Sequence, residues 1–498
     1  MESLTISDWL LAELKQGRFP PRMPSHRRVY ESIRRAIANQ HLTPGTRLPS
    51  TRSLAEALGL SRNTLLAAFE QLHEEGYVIS QVGSGTRIAR TLPENFMASN
   101  DADKPKGTDT AKNTVGLSKR GAIAAGQTDQ PSYEVQPFSP GEDDFSAFPT
   151  QLWRRLLNRQ WRDPQPAYLD YGHAGGHLPL RRAIANYLRM SRTVNLTVEQ
   201  ILITSGTQQS IDLCARLLTD HGDRVWVENP GYWGARRVLE VNGLELHPVP
   251  VDDEGMAPDN IDFRCPPRLI YTTPSHQYPK GVVMSYGRRR LLLDYAASRG
   301  AWILEDDYDS EFRFEGRPLS SLQGMDQSGC VLYMGTFSKV MYPGIKLGYI
   351  VVPPDLAESF KRGLYELQRP GQVVIQAALA EFIEEGHFST HIRRLRQIYK
   401  ERRQLLQKAL APVSRVGARL PPAGSGLHLV VELPPHCDDV RVAELAAEQG
   451  LRVYPLSYYG VGEKREKGLI VGYAYAATER ITPYGRILAD VIQAALSH

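Results

Sequence analysis

The first ninety residues place apolar side chains at the spacing of amphipathic helices. Tyr30, Ile33 and Ile37 fall on one side of a helix, and the segment TPGTRLP then interrupts it. A Ser-Thr pair at 50–51 can cap a second helix that stops at Gly59. The pattern therefore predicts two short helices separated by a break.

A third helix and a hairpin follow. Ser61 can cap a helix that buries Leu65, Phe69 and Leu72 and ends at Gly76. The second and third helices are joined by the tight turn GLS, which predicts a helix-turn-helix. The run YVISQ-VGSG-TRI predicts a β-hairpin behind it, which is a wing.

Beyond residue 132, helical patterns alternate with short β-rich runs. These runs are QILIT, RVWVE, RLIYTT, AWILEDD and VLYMGT. Strands that alternate with helices predict an α/β domain built on a largely parallel sheet.

Between the two patterns, residues 91–131 lose periodicity and fill with Asn, Asp, Lys, Gly, Thr and Ala. Such a composition buries too little apolar surface to order itself, so we expect a flexible linker. The expected domains are a winged helix-turn-helix at 20–90 and an effector domain at 132–498.

Composition narrows the class of protein. A chain of 498 residues is too long for one core, and it has no apolar run long enough to cross a membrane. Four dispersed cysteines and an N-terminus without an export signal favour the cytoplasm. His173 and His177 flank two glycines, which spoil a helical ligand pair, so no metal site is expected.

Charge is concentrated at one end. The first 90 residues contain twelve Lys and Arg against eight Asp and Glu, so the chain's whole formal excess of +4 lies there. A local positive surplus favours phosphate backbones, although a solvated basic face gives the same count.

Side chains suited to DNA lie at the helix N-termini and on the wing. A major-groove reader presents its first helical turn to the bases, and a glycine-containing wing tip can approach the backbone closely. The candidate contacts are Arg52, Ser61, Arg62, Asn63, Thr64, Ser84, Gly85 and Arg87. A three-helix protein-interaction module is the plainer alternative. Residues 41–86, from HLTPG to VGSGT, resemble the DNA-binding domain of the GntR family over its full length.

Two motifs of the second segment point to a pyridoxal-phosphate site. GTFSKVMYPGIKLGY places Lys339 after a strand, where a desolvated amine can form a Schiff base with the cofactor. AWILEDDYDSEF ends a strand in carboxylates, one of which can face the pyridinium nitrogen. Alone, an isolated Ser-Lys pair and a solvated strand end are the plainer interpretations.

Three more motifs complete the constellation. ILITSGTQQSIDL turns from strand to helix at 205–207, where free N–H groups can hold a phosphate. ENPGYW offers Tyr232 as a ring to stack on the cofactor, although a packed core aromatic has the same pattern. YTTPSHQYPKG supplies polar groups in a loop after a strand.

In this order the motifs resemble fold-type I aminotransferases from about residue 135 onward. With the winged helix, the chain resembles the MocR subfamily of GntR transcription regulators. The resemblance implies that Lys339 holds the cofactor, Asp306 meets the pyridine nitrogen, Tyr308 lies beside the ring oxygen and Tyr232 stacks on the ring. The phosphate positions that it implies are Gly206, Thr207, Thr336, Ser338, Lys346 and, from a partner subunit, Tyr171.

The chain departs from the family pattern at two positions. The family's phosphate-clamping arginine is Lys346 here, which keeps the charge and loses the two-pronged geometry. In GLIVGYA, Ile470 replaces the arginine that grips a substrate carboxylate, unless Arg236 or Arg393 takes over that role. A buried carboxylate without a cation is costly, so common α-amino acids are expected to bind weakly.

Together these features predict a cytoplasmic, pyridoxal-phosphate-dependent transcription regulator. It is expected to sense pyridoxal phosphate itself, or an amine or amino-acid adduct, without productive catalysis. A head-to-tail homodimer would present two DNA-binding heads to a double-stranded operator. The alternative is a working class I/II aminotransferase with an accessory DNA-binding domain, and Ile470 argues against it.

Overall fold

A computed structural model gives the fold. It describes residues 6–15, 19–20, 22–39, 41–81, 85–90, 116–126, 135–258, 266–316, 320–369, 371–422, 424–463 and 465–497. The chain forms two compact units, Met1–Val115 and Gly116–His498.

The first unit is helical and closes with a hairpin. Its elements are α1 (Ile6–Lys15), α2 (Ser25–Ala38), α3 (Thr51–Leu58), α4 (Arg62–Glu74), β1 (Val78–Gln81) and β2 (Gly85–Ile88). The strands pair antiparallel with Val78 opposite Ile88. Side chains from α1 to α4 and from the hairpin share one apolar core. The predicted helix-turn-helix and wing are therefore present.

Local chemistry sets the ends of the two central helices. Ser50 Oγ accepts a hydrogen bond of 3.1 Å from the Ser53 amide at the start of α3, and Gly59 ends that helix at φ 67°. Ser61 Oγ accepts one of 3.2 Å from the Thr64 amide at the start of α4. Both helices begin where the sequence predicts.

Two helices lie outside the expected domain pattern. α1 precedes the expected start at residue 20, yet its Leu10 is completely buried against α2 and α3. α5 (Lys119–Ala125) falls inside the expected linker and packs against the helix at Trp233–Val241. Residues 91–115 and 127–131 lie outside the described residues, so the linker remains an expectation.

The second unit is built on an eight-stranded sheet. Its strands are β3 (Ile201–Thr204), β4 (Arg224–Asn229), β5 (Glu245–Asp252), β6 (Gly255–Met256), β7 (Leu269–Thr272), β8 (Trp302–Asp307), β9 (Val331–Thr336) and β10 (Gly348–Val351). They lie in the order β3-β10-β9-β8-β7-β4-β5-β6.

The central strands of this sheet are parallel, and β10 runs against both of its neighbours. The α/β architecture is confirmed, with β10 and the short β6 as its antiparallel members. Because β3, β7, β8 and β9 point the same way, their carboxyl ends meet at one edge, where ligands bind in such sheets.

Helices cover both faces of the sheet. They are α6 (Thr150–Arg162), α7 (Leu178–Arg192), α8 (Thr207–Leu218), α9 (Trp233–Val241), α10 (Tyr286–Arg299), α11 (Leu322–Met325), α12 (Ala357–Gln368) and α13 (Val373–Glu384). Two large apolar clusters fill the space between sheet and helices. Within the described ranges, no helix is both long and apolar enough to cross a membrane.

A smaller three-stranded sheet completes the unit. Its strands are β11 (His428–Glu432), β12 (Tyr454–Pro455) and β13 (Gly468–Gly472). The helices of this part of the chain are α14 (His387–Leu410), α15 (Asp439–Glu448) and α16 (Thr478–Leu496). The order is β11-β13-β12, all antiparallel, with Val430 opposite Ile470.

Candidate functional site

A cavity of about 330 Å³ opens at the carboxyl edge of the large sheet. Loops that follow β3, β7, β8 and β9 converge on it, together with β11 of the smaller sheet. Nine side chains or backbone positions predicted from the sequence line this one cavity: Gly206, Thr207, Tyr232, Asp306, Tyr308, Thr336, Ser338, Lys339 and Lys346.

Lys339 lies three residues beyond the end of β9. Its Nζ donates a hydrogen bond to the carbonyl oxygen of Gly141, which also lines the cavity. Because the ammonium group has three N–H donors, this one hydrogen bond leaves two of them for other partners. The lysine is thus held at the cavity wall by the backbone of a distant segment, which no local pattern reveals.

Asp306, near the end of β8, is buried with one oxygen satisfied. Its Oδ2 accepts a hydrogen bond of 2.6 Å from the Tyr271 hydroxyl, while its Oδ1 has no partner in the described part of the chain. Burial raises the pKa of Asp306 to about 7, opposed by the Tyr271 hydrogen bond. A buried carboxylate oxygen that lacks a donor is suited to a ligand that brings an N–H group.

The opposite end of the cavity is built from backbone and hydroxyl groups. Gly206 precedes α8 at φ 127°, a conformation that favours glycine. A Cβ on Gly348 would lie 2.8 Å from Gly206 Cα, so strand β10 also needs a glycine here. Lys346 is exposed to solvent and brings a positive charge to this end. These groups suit an anion such as phosphate.

Tyr308 belongs to a buried polar cluster. His276 Nδ1 lies 3.0 Å from the Tyr308 hydroxyl and 2.9 Å from Asp309 Oδ2. Burial, and then the Asp309 carboxylate, raise the pKa of Tyr308 well above its usual value. Tyr308 therefore remains a neutral hydrogen-bonding hydroxyl at physiological pH.

Other described residues line the cavity without having been predicted individually, among them Tyr278 and His428. Tyr278 is the centre of an aromatic group: its ring makes edge contacts at 5.8 Å with Tyr232, 5.8 Å with Tyr308 and 5.4 Å with His428. The polar loop motif YTTPSHQYPKG did indicate the position of Tyr278, but nothing in the HLVVE run of β11 indicates His428.

Ile470 does not line the cavity. It is completely buried in an apolar cluster with Val430, Leu456 and Tyr459, and Tyr278 packs against that cluster from the cavity side. Arg236 Nη1 donates a hydrogen bond of 3.0 Å to the Tyr459 carbonyl oxygen. Neither Arg236 nor the exposed Arg393 is among the described lining residues, and none of those is an arginine.

Comparison with known proteins identifies the family. Residues 143–474 match the model for aminotransferase class I and II, and residues 25–88 match that for bacterial regulatory proteins of the gntR family. The probable rhizopine catabolism regulatory protein MocR of Rhizobium meliloti is 41% identical over 463 residues, which cover 91% of this chain and 90% of that protein. The chain belongs to the MocR subfamily of GntR regulators.

Other relatives agree with this assignment. The pyridoxine biosynthesis transcriptional regulator PdxR of Corynebacterium glutamicum is 34% identical, over 89% of this chain and 90% of that protein. LysN, an α-aminoadipate aminotransferase of Thermus thermophilus solved with N-(5'-phosphopyridoxyl)-L-leucine, superposes with a TM-score of 0.69 at 26% identity. That match covers 76% of this chain and 98% of LysN.

This MocR-type chain is a transcription regulator with a GntR DNA-binding domain and a fold-type I aminotransferase-like domain whose cofactor is pyridoxal phosphate. The cavity fits that cofactor, because it joins an amine, an unpartnered buried carboxylate oxygen and an anion-binding end. When bound, the cofactor supplies an electrophilic aldehyde carbon that combines with amines.

Tyr171 stands apart from the other predicted side chains. It is 56% exposed and does not line the cavity, and the Arg369 guanidinium lies 4.6 Å from its ring centre. Next to Arg369, Gln368 accepts a hydrogen bond from Gln209, which does line the cavity. Tyr171 thus lies on a surface near the phosphate end of the site.

The predicted DNA contacts in the DNA-binding domain of this MocR-type chain differ in their exposure and in their hydrogen bonds within the protein. Arg52, Arg62 and Asn63 are exposed in the first turns of α3 and α4. The Ser61 hydroxyl caps α4 and lies 2.8 Å from the half-buried Thr64 hydroxyl.

On the wing, Arg87 Nη1 donates a hydrogen bond of 3.1 Å to the Gly45 carbonyl oxygen. Gly85 adopts φ 81°, and a Cβ there would lie 3.1 Å from the exposed Arg47 side chain, which the sequence had not singled out. Ser84 lies outside the described residues.

Proposed function

We propose that this regulator binds pyridoxal phosphate covalently at Lys339 and uses the state of that site to control how a two-fold dimer holds DNA. The proposal depends on one observation above all: Lys339 and the unpartnered Oδ1 of Asp306 belong to a single cavity. A lysine amine at one point and a buried acceptor at another match the two ends of a pyridine aldehyde.

Each lining residue then has a task. Asp306 Oδ1 accepts a hydrogen bond from the protonated ring nitrogen, and Tyr271 keeps the other oxygen in place. The Tyr308 hydroxyl binds the ring oxygen and Tyr232 stacks on the ring. The phosphate is held by the remaining predicted positions, Gly206, Thr207, Thr336, Ser338 and Lys346.

The charges support this arrangement. A buried aspartate whose pKa lies near 7 gains most from a cationic partner, because the pyridinium proton supplies the opposite charge that the protein withholds. Lys346 sits at φ 49° where a two-pronged arginine is usual in the family, so it acts on the phosphate as a point charge.

We also propose a head-to-tail homodimer in which Tyr171 reaches the phosphate of the partner's site. Aminotransferase-like domains are typically dimeric. Leu169, two residues before Tyr171, is 72% exposed, and Leu367, two residues before the Arg369 that contacts the Tyr171 ring, is 45% exposed. Exposed apolar side chains at the edge of a ligand site are typical of an interface between subunits.

In the DNA-binding head, Arg62 and Asn63 are proposed to read base edges in the major groove, and Arg52 to bind phosphate. All three are exposed, whereas the Ser61 hydroxyl is engaged in the helix cap. Gly85 lets the wing approach the backbone.

Footprinting tests the proposal. The purified chain is bound to the region upstream of its own gene with and without pyridoxal phosphate, alongside Lys339→Ala and the control Lys361→Ala, whose lysine lies on α12. We expect the cofactor to change the footprint of the wild type and the control and to leave that of Lys339→Ala unchanged. A cofactor response that persists in Lys339→Ala would refute the proposal.

A further inference from the structure

One wall of the cavity consists of residues that have no assigned role in holding the cofactor. Leu427 and His428 at the start of β11 form it, with Tyr278 from the loop after β7. His428 and Val430 share a face of β11, and Val430 lies opposite Ile470 on β13. This wall therefore includes the neighbourhood in which the family's carboxylate-gripping arginine is missing.

The hydrogen bonds of His428 determine what it offers a ligand. Its Nε2 lies 2.8 Å from the Pro279 carbonyl oxygen, which can only accept, so Nε2 carries the proton. Burial, and then the nearby His276 and Lys339, lower the pKa of His428 to about 3. The ring is therefore neutral, and its Nδ1 is an acceptor.

That acceptor is free. His428 Nδ1 has no hydrogen-bond partner anywhere in the described ranges, although the imidazole is almost completely buried. Because the ring lines the cavity, a ligand that brings a donor can bond this nitrogen. An ionised carboxylate brings none.

The cations of the cavity are already assigned. Lys339 and Lys346 are the two basic side chains among the described lining residues, and they serve the aldehyde and the phosphate. Close to Lys339, Asp143 is buried with neither of its oxygens partnered among the described residues, and burial raises its pKa to about 7 although the positive charge of the lysine opposes this. A carboxylate brought in by a ligand would therefore find no unassigned cation among the described lining residues.

Tyr278 adds a hydroxyl group to this wall, and a second tyrosine hydroxyl lies next to it. The Tyr278 hydroxyl lies 3.2 Å from the Tyr459 hydroxyl, and both rings belong to the group that surrounds Ile470. Such hydroxyls can donate to, and accept from, a hydroxyl of a ligand.

We infer that the effector of this regulator is a primary amine that carries hydroxyl groups and no carboxylate, and that His428 Nδ1 accepts a hydrogen bond from one of those hydroxyls. The inference rests on the proposed function, because the effector's nitrogen replaces Lys339 Nζ on the aldehyde carbon of the cofactor. In that exchange the carbon gains one C=N bond and loses another. Lys339 departs with the two hydrogens of the incoming amine, and nothing is oxidised or reduced.

A matched set of three amines tests the chemistry. Serinol (2-amino-1,3-propanediol) has two hydroxymethyl groups, serine replaces one of them with a carboxylate, and isopropylamine replaces both with methyl groups. Each is titrated into the full-length protein loaded with pyridoxal phosphate, and the visible absorbance of the lysine-bound cofactor is followed. Concentrations are corrected for the unprotonated fraction of each amine. We expect serinol to half-saturate the change at a concentration about tenfold or more below that of the other two.

Two variants locate the preference. His428→Phe keeps an aromatic ring and loses the acceptor, so serinol should weaken roughly fivefold to tenfold while isopropylamine is unchanged. His428→Gln retains a side-chain acceptor and should keep most of the preference. Both are compared only after they have formed the cofactor band without amine, and the wild-type series stands without them.

The failures are distinguishable. A wild type that forms no band with pyridoxal phosphate refutes the proposed function and this inference together. A normal band with serine or isopropylamine binding as tightly as serinol, or with no response to serinol, overturns this inference alone. A serinol preference that survives in His428→Phe overturns the role of His428.

Discussion

The Tyr271 hydroxyl donates a hydrogen bond of 2.6 Å to Asp306 Oδ2 and leaves Asp306 Oδ1 without a partner among the described residues. Without cofactor, the protein thus holds a carboxyl group in its interior that is only half satisfied. Burial raises the pKa of this group from 3.8 to about 7, so its native form holds a proton that the unfolded chain releases.

The first prediction follows from that proton. Because the folded-state pKa of Asp306 is raised, its contribution to stability falls as pH rises from about 4 to about 7, and the ionised group destabilises the cofactor-free fold above that range. Cofactor-free Asp306→Asn should melt at a higher temperature than the wild type at pH 8, with the difference shrinking toward pH 4. Thermal melts at several pH values measure this.

The matched control is Asp355→Asn, which changes an exposed aspartate and should show no such pH-dependent difference. Asp306→Asn should also bind pyridoxal phosphate at least tenfold more weakly. If the melting temperature of Asp306→Asn depended on pH as that of the wild type does, the raised pKa of Asp306 would be disproved.

Lys339→Ala should lack the visible-to-near-ultraviolet band that pyridoxal phosphate produces with the wild type, because no other lysine is proposed to reach the aldehyde. Absorbance spectra at equal cofactor concentration decide it, with Lys361→Ala as the unchanged control. DNA binding should persist in Lys339→Ala, since the winged helix is a separate unit. An undiminished band would remove the central residue of the site.

Arg62→Ala should weaken binding to the specific operator by roughly 1–3 kcal/mol and bring it closer to binding of random DNA. Arg52→Ala should weaken binding to the operator and to random DNA by similar factors, and it should reduce the number of ions released on DNA binding by about one. Titrations at several salt concentrations separate the two effects. Wild-type discrimination in Arg62→Ala would mean that this arginine reads no base.

Shared sites make complementation possible. Tyr171→Ala and Lys339→Ala should each impair cofactor binding in their own homodimers. A mixed dimer contains one site with both substitutions and one site with neither, because each site takes Lys339 from one subunit and Tyr171 from the other. Mixing should therefore restore tight cofactor binding at up to about half of the sites. Equilibrium dialysis after subunit exchange measures the recovery. Full cofactor affinity in a monomer at micromolar concentration would contradict the dimer and the role of Tyr171.

Ordinary amino acids should not be turned over. Ile470 is buried, and the described cavity lining has no arginine. We therefore expect the cofactor spectrum to stay unchanged over many hours when alanine, aspartate or glutamate is added together with an oxo-acid acceptor. Product assays for the new amino acid supply the measurement. Conversion over many turnovers would favour a working aminotransferase with an accessory DNA-binding domain.

Local signals allowed the helix-turn-helix to be predicted closely. Ser50, Gly59 and Ser61 act through bonds to residues no more than four positions away, so their roles can be read from the sequence. α1 was missed although Ile6, Leu10 and Leu14 have helical spacing. Its contribution depends on packing against α2 and α3, which a single short pattern does not reveal.

The cavity was predictable where motifs follow strands and unpredictable where distant segments meet. Lys339 and Asp306 stand at the ends of β9 and β8, and parallel strands bring such ends together. The contacts of Gly141 with Lys339 and of Pro279 with His428 join residues 198 and 149 positions apart. No spacing rule covers such distances, so the ligand-facing wall became visible only in the fold.

The close approach of Gly348 to Gly206 distinguishes the end of the cavity that holds the cofactor phosphate from the wall that faces the effector. At that end, main-chain atoms are so near one another that a single methyl group has no room, so the wall is fixed by the course of the chain. At the other end, His428 and Tyr278 present side chains that substitution can reshape. Regulators of this architecture can therefore acquire new chemical signals by altering one wall while the anchorage of the cofactor stays the same.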